Sequence, residues 1–196
     1  MDKRDFSKAI TALSNGKVIV YPTDTLYGLG ADIFNDDAVR QVFEIKKRPT
    51  NLPLSVAVSD FQELEKIAFT DFKTRRLANL FLPGKLTLIL KKKNCVSDVV
   101  TGGLDKVAVR IPDNKIALEL LSDFGPLTAT SANIHGAKTP GIISEISMQF
   151  KDDDVSVYLD IGKLVGQPSS IVDMTGKQIE IIREGAISKR DILDAV

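Results

Sequence analysis

Basic side chains near strand and helix ends are the first candidates for chemistry in this sequence. Lys46 and Arg48 stand at the end of a helical pattern, and Pro49 and Pro53 hold the next residues in an extended path. A cation pair that faces inward is suited to bind phosphate oxygens. Cations at a helix C-terminus also complement the helix dipole while remaining in solvent, so phosphate binding and capping are both open.

Arg110 is the third basic candidate, because it lies in the apolar segment 107–112. A guanidinium among apolar neighbours needs an anionic partner or an open cavity. An internal Asp or Glu is one such partner. A bound carboxylate is the other, since the planar fork of arginine matches a carboxylate with two hydrogen bonds.

Small polar residues follow several predicted strands. Residues 21–32 form the densest polar segment, which we predict to be a loop, and Gly28 and Gly30 there permit close approach of a ligand. Pro22 and Asp24 explain the same segment as an ordinary turn. Further hydroxyl, amide and basic groups of the kind that line nucleotide pockets occur in residues 128–133, 169–173 and 181–185. The same segments are also explained as ordinary turns and sheet edges.

Composition excludes several functional classes. The chain has 196 residues, 43% hydrophobic and 27% charged, with 26 basic and 26 acidic residues, so no overall charge attracts nucleic acid. A single cysteine, Cys95, and a single histidine, His135, leave no disulfide, no multi-cysteine zinc site and little basis for a nucleophilic triad. The charge runs 3–4 and 91–93 are predicted to be solvated, and the protein is expected to be cytoplasmic with no membrane span.

Helical and strand patterns alternate along the chain, which predicts a mixed α/β fold. Helices are predicted at 5–15, 36–46, 61–67, 71–82, 115–124 and 142–149, and a last short helix is predicted to begin at Ser188. Strands are predicted at 17–21, 54–58, 86–90, 106–111 and 127–130, and near 155–160, 169–173 and 178–183. No linker divides these elements, so residues 1–196 are expected to form one domain.

The order of the motifs resembles the YrdC-like family of threonylcarbamoyl-AMP synthases. The matching segments are Tyr21-Pro-Thr-Asp-Thr-Leu-Tyr-Gly-Leu-Gly30, Lys46-x-Arg48-Pro49 before Pro53-Leu54, Pro83-Gly84 with Thr87-Leu-Ile-Leu90, Val107-Ala-Val-Arg110-x-Pro112, Thr130-Ser-Ala-Asn133-x-x-Gly136, Ser169-Ser-Ile-Val-Asp173 and Arg183-x-Gly185. Each is weak alone, but together they span residues 21–185 in a single order.

The resemblance implies a twisted, curved mixed sheet with flanking helices around a large electropositive cavity. It implies an enzyme that makes threonylcarbamoyl-AMP and pyrophosphate from L-threonine, bicarbonate or CO2, and ATP with Mg²⁺, for tRNA modification. By position, the threonine ligands would be Thr25, Arg110, Ala129 and Ser169. The ATP ligands would be Lys46, Arg48, Ser131, Asn133, Thr139 and Arg183, with Lys46 and Arg48 also acting in catalysis.

The resemblance also includes one difference from longer relatives and an expectation about domain content. Some longer relatives have a histidine that touches threonine where this chain has Ala57. The resemblance also leads us to expect a free-standing short form, because the chain ends about where the catalytic domain does. tRNA itself and the downstream threonylcarbamoyl transferase complex are further candidate partners. The rival hypotheses are an RNA-binding or ribosome-assembly module that uses the same basic residues, and a synthase that uses carbamoyl phosphate.

Overall fold

The computed structural model describes residues 3–196 as an α/β protein. Its helices are α1 (Lys3–Ser14), α2 (Asp36–Lys46), α3 (Phe61–Ile67), α4 (Phe72–Phe81), α5 (Asp98–Thr101), α6 (Lys115–Phe124), α7 (Ile143–Ser147) and α8 (Lys189–Asp194). Its strands are β1 (Ile19–Tyr21), β2 (Gly28–Gly30), β3 (Ser55–Ala57), β4 (Leu86–Lys91), β5 (Lys106–Arg110), β6 (Leu127–Thr128), β7 (Thr130–Ser131), β8 (Val157–Tyr158), β9 (Ser170–Asp173) and β10 (Glu180–Arg183).

The strands form two mixed sheets. The smaller sheet has the order β7-β2-β1-β8, and the larger one has the order β10-β9-β4-β5-β3-β6. In the larger sheet β4 pairs parallel with β9 and antiparallel with β5, and β3 pairs parallel with β5. The predicted mixed α/β class is confirmed, with two sheets where the resemblance implied one curved sheet.

Side-chain caps fix where the helices begin. The Asn35 side chain accepts hydrogen bonds from the backbone N–H groups of Asp37 and Ala38, and Asn114 caps α6 in the same way. At the other end of α2, Lys47 adopts a left-handed conformation with φ of 50°, so the chain turns away directly after Lys46. The six helices predicted before residue 150 and the final helix are all present, with ends that shift by one or two residues.

The predicted strand at 127–130 is in fact divided between the two sheets. β6 pairs with β3 of the larger sheet, whereas β7 pairs with β2 of the smaller one. Between them, the backbone N–H of Ala129 donates to the carbonyl of Ser55 at 2.7 Å. The chain therefore passes from one sheet to the other at Ala129.

The prediction that residues 21–32 form a loop is wrong in part, because β2 pairs antiparallel with β1. Gly30 does not face a ligand, since a Cβ on it would lie 2.9 Å from the ring of Tyr21. The glycine is needed to accommodate the buried tyrosine beside the hairpin. The short helix α5 was also missed.

Most apolar side chains belong to a core that includes residues of both sheets and α2. A second cluster lies where α1 and α6 pack together and includes Tyr21, Ala57 and Leu127. Ala57 is fully buried there.

Arg4 is exposed, as predicted for the basic run 3–4, whereas the side chain of Lys3 and the residues before it lie outside the described part. In residues 3–196 we find no helix with the length and apolar character needed to cross a bilayer.

Candidate active site

The candidate site is a cavity of about 450 Å³ at the meeting of the two sheets. Gly28, Thr130 and Ser131 line it from the smaller sheet. The larger sheet contributes alternate residues of neighbouring strands, namely Thr87, Ile89, Ala108, Arg110 and Ile171. The register places Ala108 opposite Ser55 and Ile89, and Thr87 opposite Ile171, so these side chains share one face of the sheet.

Eight of the ten residues assigned by the resemblance line this cavity. They are Thr25, Arg48, Arg110, Ala129, Ser131, Thr139, Ser169 and Arg183. Residues from 25 to 183 thus converge on one volume although no two of their motifs are adjacent in sequence. Lys46 and Asn133 are not in the lining and lie behind it.

Lys46 is directed at the backbone of the segment that carries Ser131. Its Nζ donates to the carbonyl oxygens of Ser131 and Asn133 at 2.5 and 2.8 Å, and to Asn133 Oδ1 at 3.3 Å. Ser131 Oγ donates to the same Asn133 Oδ1 at 2.6 Å. In this conformation the three donors of the ammonium are used within the protein. Lys46 therefore holds in place the segment from Ser131, the last residue of β7, to Asn133, which we call the Ser131 loop.

The pKa of Lys46 is lowered to about 7, mainly by burial and also by the positive charge of Arg48. Only 2% of the residue is exposed. Burial removes water from the charged form, which therefore loses its proton at a lower pH.

Arg48 faces the cavity and is held there by the extended segment that follows it. Its Nη2 donates to the Pro53 carbonyl at 3.0 Å and its Nε to the Leu52 carbonyl at 3.3 Å. Nη1 lies 3.3 Å from His135 Nδ1. Burial lowers the pKa of Arg48 from its ordinary value. The proline-bounded segment 49–53 thus positions this cation.

The sequence left two partners open for Arg110, an acidic side chain of the protein or a bound carboxylate. Both are compatible with the structure, because Arg110 lines the cavity and also contacts Asp24. Its Nη2 donates to Asp24 Oδ1 at 2.5 Å, and its Nη1 donates to Thr25 Oγ1 at 3.2 Å. A longer contact of 3.4 Å joins Nη2 to the Gly84 carbonyl. The guanidinium is therefore fixed by the segment after β1.

A second cluster of polar side chains on the cavity wall consists of Ser169, Thr87 and Arg183. The hydroxyls of Thr87 and Ser169 lie 2.8 Å apart, and Arg183 Nη2 donates to the Ser169 carbonyl at 2.7 Å. Burial lowers the pKa of Arg183, with a further contribution from the charge of Arg110. Thr87 belongs to one of the motifs that carry the family resemblance, but sequence analysis did not assign it to the site. The period-2 pattern of its strand, with Thr87 between buried leucines, was the available signal.

Residues 160–168 form a crossing segment, which leads from β8 in the smaller sheet to β9 in the larger one. Tyr27, which lines the cavity, anchors this segment: its hydroxyl donates to the Gly162 carbonyl at 2.7 Å and accepts from the Ile161 N–H at 3.0 Å. Farther along, Gly166 packs directly on the backbone of Thr25. Sequence reasoning missed this anchor, because the contacts join residues more than 130 positions apart.

The described lining contains three arginines and no carboxylate. In residues 3–196 we also find no cluster of three His, Cys, Asp or Glu side chains that could hold a metal ion. The set of donors therefore fits an anionic ligand and does not fit a resident Mg²⁺, which prefers carboxylate oxygens or substrate phosphates. Ala57 lies in the second core cluster and supplies no side chain to the cavity.

Comparison with known proteins gives consistent matches over this region. The family model Sua5_yciO_yrdC, described as "Telomere recombination", matches residues 11–185. A Methanocaldococcus jannaschii protein provisionally named a threonylcarbamoyl-AMP synthase is 43% identical over 88% of this chain and 82% of its own length. The threonylcarbamoyl-AMP synthase of Bacillus subtilis is 35% identical over 95% of this chain, which spans 55% of that protein.

A solved structure shows the same fold. The crystal structure of Pyrococcus abyssi Sua5 complexed with L-threonine superposes with a TM-score of 0.94 at 34% sequence identity. The match covers 100% of this chain and 58% of the P. abyssi chain. This chain thus corresponds to somewhat more than half of the longer relatives and to most of the M. jannaschii relative.

Proposed function

Because this chain belongs to the Sua5, YciO and YrdC family, we propose that it is a threonylcarbamoyl-AMP synthase. The reaction joins L-threonine, bicarbonate or CO2, and ATP, and it yields threonylcarbamoyl-AMP and pyrophosphate. The observation that carries the proposal is the convergence of eight residues, drawn from distant segments of the chain, on one cavity with three arginines. Such a cavity suits two anionic ligands, a nucleotide and an amino-acid carboxylate.

The amino acid is proposed to bind at the Thr25 and Arg110 end of the cavity. Arg110 is the group suited to its carboxylate, and Ala129 and Ser169 complete this subsite. The α-amine of threonine adds to CO2 in its unprotonated form, and the proton that the nitrogen then releases passes to solvent. The product of that step is a carbamate on the threonine nitrogen.

The second step is a transfer of the adenylyl group. A carbamate oxygen attacks the α-phosphorus of ATP, a new O–P bond forms, and the bond to the β-phosphate oxygen breaks to release pyrophosphate. Positioning and charge neutralisation are the main catalytic requirements of phosphoryl-type transfers, so the step needs no protein nucleophile. Arg48 and Arg183 are proposed to neutralise the phosphates, with Ser131 and Thr139 as hydroxyl donors.

Lys46 and Asn133 are proposed to support the nucleotide subsite through the Ser131 loop, to which both are hydrogen bonded. We propose that Mg²⁺ enters with ATP as part of the substrate, because the described lining lacks carboxylates for a resident ion. The unstable adenylate would then pass to the enzymes that modify tRNA.

The decisive experiment incubates the purified protein with ATP and Mg²⁺, L-threonine and labelled bicarbonate, and omits each in turn. We expect pyrophosphate and a labelled adenylate only in the complete mixture. Product formed from carbamoyl phosphate instead of bicarbonate would favour the carbamoyl-phosphate reaction. Salt-sensitive RNA affinity without threonine-dependent pyrophosphate release would favour the RNA-binding module.

A further inference from the structure

We infer that Asp24 is a positioning residue of the amino-acid subsite, which acts by orienting the guanidinium of Arg110. The inference rests on the proposed function for the identity of the ligand. The contact itself is direct, since Asp24 Oδ1 accepts from Arg110 Nη2 at 2.5 Å. Asp24 is absent from the cavity lining, so it acts through the arginine and has no contact with the cavity itself.

The pair is buried on both sides, with 7% of each side chain exposed. A buried guanidinium is costly unless an opposite charge lies close to it. Asp24 supplies that charge from behind, whereas Arg183 repels Arg110 from the cavity side and has its own pKa lowered by it. Without Asp24, the arginine would face uncompensated positive charge in the cavity, and only the contacts with Thr25 and the Gly84 carbonyl would hold its direction.

Asp24 and Arg110 do not form a bidentate ion pair. Two parallel hydrogen bonds would use both carboxylate oxygens and two guanidinium nitrogens. Here a single contact is made, and Asp24 Oδ2 and Arg110 Nε are both buried without a hydrogen-bond partner in the described part of the chain. Unsatisfied buried groups of this kind lower stability, so a contribution to stability does not account for this arrangement of the pair.

Thr25 completes the restraint from the residue next to Asp24. Its hydroxyl accepts from Arg110 Nη1 at 3.2 Å and lies 3.0 Å from the hydroxyl of Thr23. Both Nη atoms of Arg110 are thus fixed by neighbouring residues of one segment. Because Thr25 and Arg110 both line the cavity, the segment sets the direction in which the guanidinium presents its remaining hydrogens.

The first test is independent of any ligand. Nitrogen NMR of the free protein should show separate, slowly exchanging signals for the two Nη atoms of Arg110. Asp24→Asn keeps the shape of the side chain but removes its charge, and it should merge these signals. Unchanged signals in Asp24→Asn would overturn the inference whether or not the protein uses threonine.

The second test measures threonine-dependent pyrophosphate release. Asp24→Asn should raise the KM for threonine by about 10- to 100-fold, the scale of a misplaced substrate contact, with little change in the KM for ATP. Asp24→Glu, which keeps the charge, should recover part of the loss. Asp32→Asn is the matched control in the same segment, because its Oδ1 only caps the Phe34 N–H and asparagine can do the same.

A double variant separates positioning from a general loss of fold. Arg110→Lys alone should raise the KM for threonine, and adding Asp24→Asn should raise it little further if Asp24 acts through Arg110. Independent, multiplying effects would contradict the inference. If the wild-type protein released no pyrophosphate in response to threonine, the proposed function would fail, and the NMR result alone would decide the role of Asp24.

Discussion

At the scale of single residues, the cations of the site fall into two kinds. Arg48, Arg110 and Arg183 line the cavity, whereas Lys46 is turned away and binds backbone carbonyls. From the Lys-x-Arg spacing, phosphate binding and helix capping were both open for Lys46 and Arg48. The left-handed conformation of Lys47 separates the two side chains, because the chain reverses between them.

Arg48→Ala is expected to lower kcat/KM for ATP by roughly 10²- to 10³-fold, the scale for loss of one preorganised charge-stabilising donor. Steady-state pyrophosphate release measures the effect. Arg40→Ala on the exposed face of α2 is the control, since that side chain pairs only with nearby helix acids. If Arg48→Ala kept activity within twofold of wild type, the proposed role of Arg48 in neutralising the phosphates would be wrong.

Lys46→Met tests the buried ammonium through the pH dependence of folding. The folded pKa of about 7 lies below the ordinary 10.5, so between these values the unfolded chain binds more protons and wild-type stability should rise with pH. Relative to Lys46→Met, the free energy of unfolding in urea should gain up to about 1.4 kcal/mol per pH unit in this range.

Exposed Lys47 provides the matched control, because Lys47→Met removes a neighbouring lysine that is not buried. Its stability curve should run parallel to that of the wild type. If the stability curves of Lys46→Met and wild type ran parallel between pH 7 and 10, they would contradict a lowered pKa for the buried Lys46.

At the scale of elements, the site depends on irregular segments held by strands. The turn after β1 carries Asp24 and Thr25, and the switch at Ala129 carries the chain between the sheets. The crossing segment packs against the turn after β1, with Gly166 on Thr25. These segments have little regular structure of their own, so their positions are set by contacts with distant parts of the chain.

Gly166→Ala should weaken threonine binding by about 10-fold or more, because an ångström of displacement at a binding contact can cost that much. The added Cβ would lie 2.3 Å from the Thr25 carbonyl oxygen, so the backbone of one segment must move. Titration calorimetry with threonine measures the effect. Val165→Ala alters the adjacent, 85% exposed side chain and should bind threonine normally. Equal affinities in the two variants would contradict this packing.

At the scale of the whole molecule, the cavity lies between two sheets that share one core. A ligand that contacts Ser131 on one side and Arg183 on the other would join the sheets. Binding to the folded state alone stabilises it by mass action.

Saturation of the cavity should therefore raise the melting temperature. With threonine or a non-hydrolysable ATP analogue, each added alone near 100 times its Kd, one site gains about 2.7 kcal/mol, and the expected shift is roughly 5 to 10 °C for each ligand. Differential scanning fluorimetry measures it. Arg183→Ala should lose the shift caused by the ATP analogue and keep the shift caused by threonine. Identical shifts in both proteins would argue against a nucleotide at Arg183.

Local sequence patterns were sufficient to predict the types of most elements, most of their boundaries and the identity of the site motifs. Local caps and periodic apolar residues define α2 and α6, and these signals involve only residues close in the chain. The family resemblance supplied the list of site residues, because an ordered set of short motifs is a property of the sequence alone.

Tertiary structure decided which of those residues face the cavity and what holds them. The pairing of Arg110 with Asp24 joins positions 86 apart, and Tyr27 meets the crossing segment more than 130 positions away. Likewise, the glycine at 30 is explained only by the ring of Tyr21 in the neighbouring strand. Such contacts depend on how the two sheets meet, and no local pattern in the sequence records that arrangement.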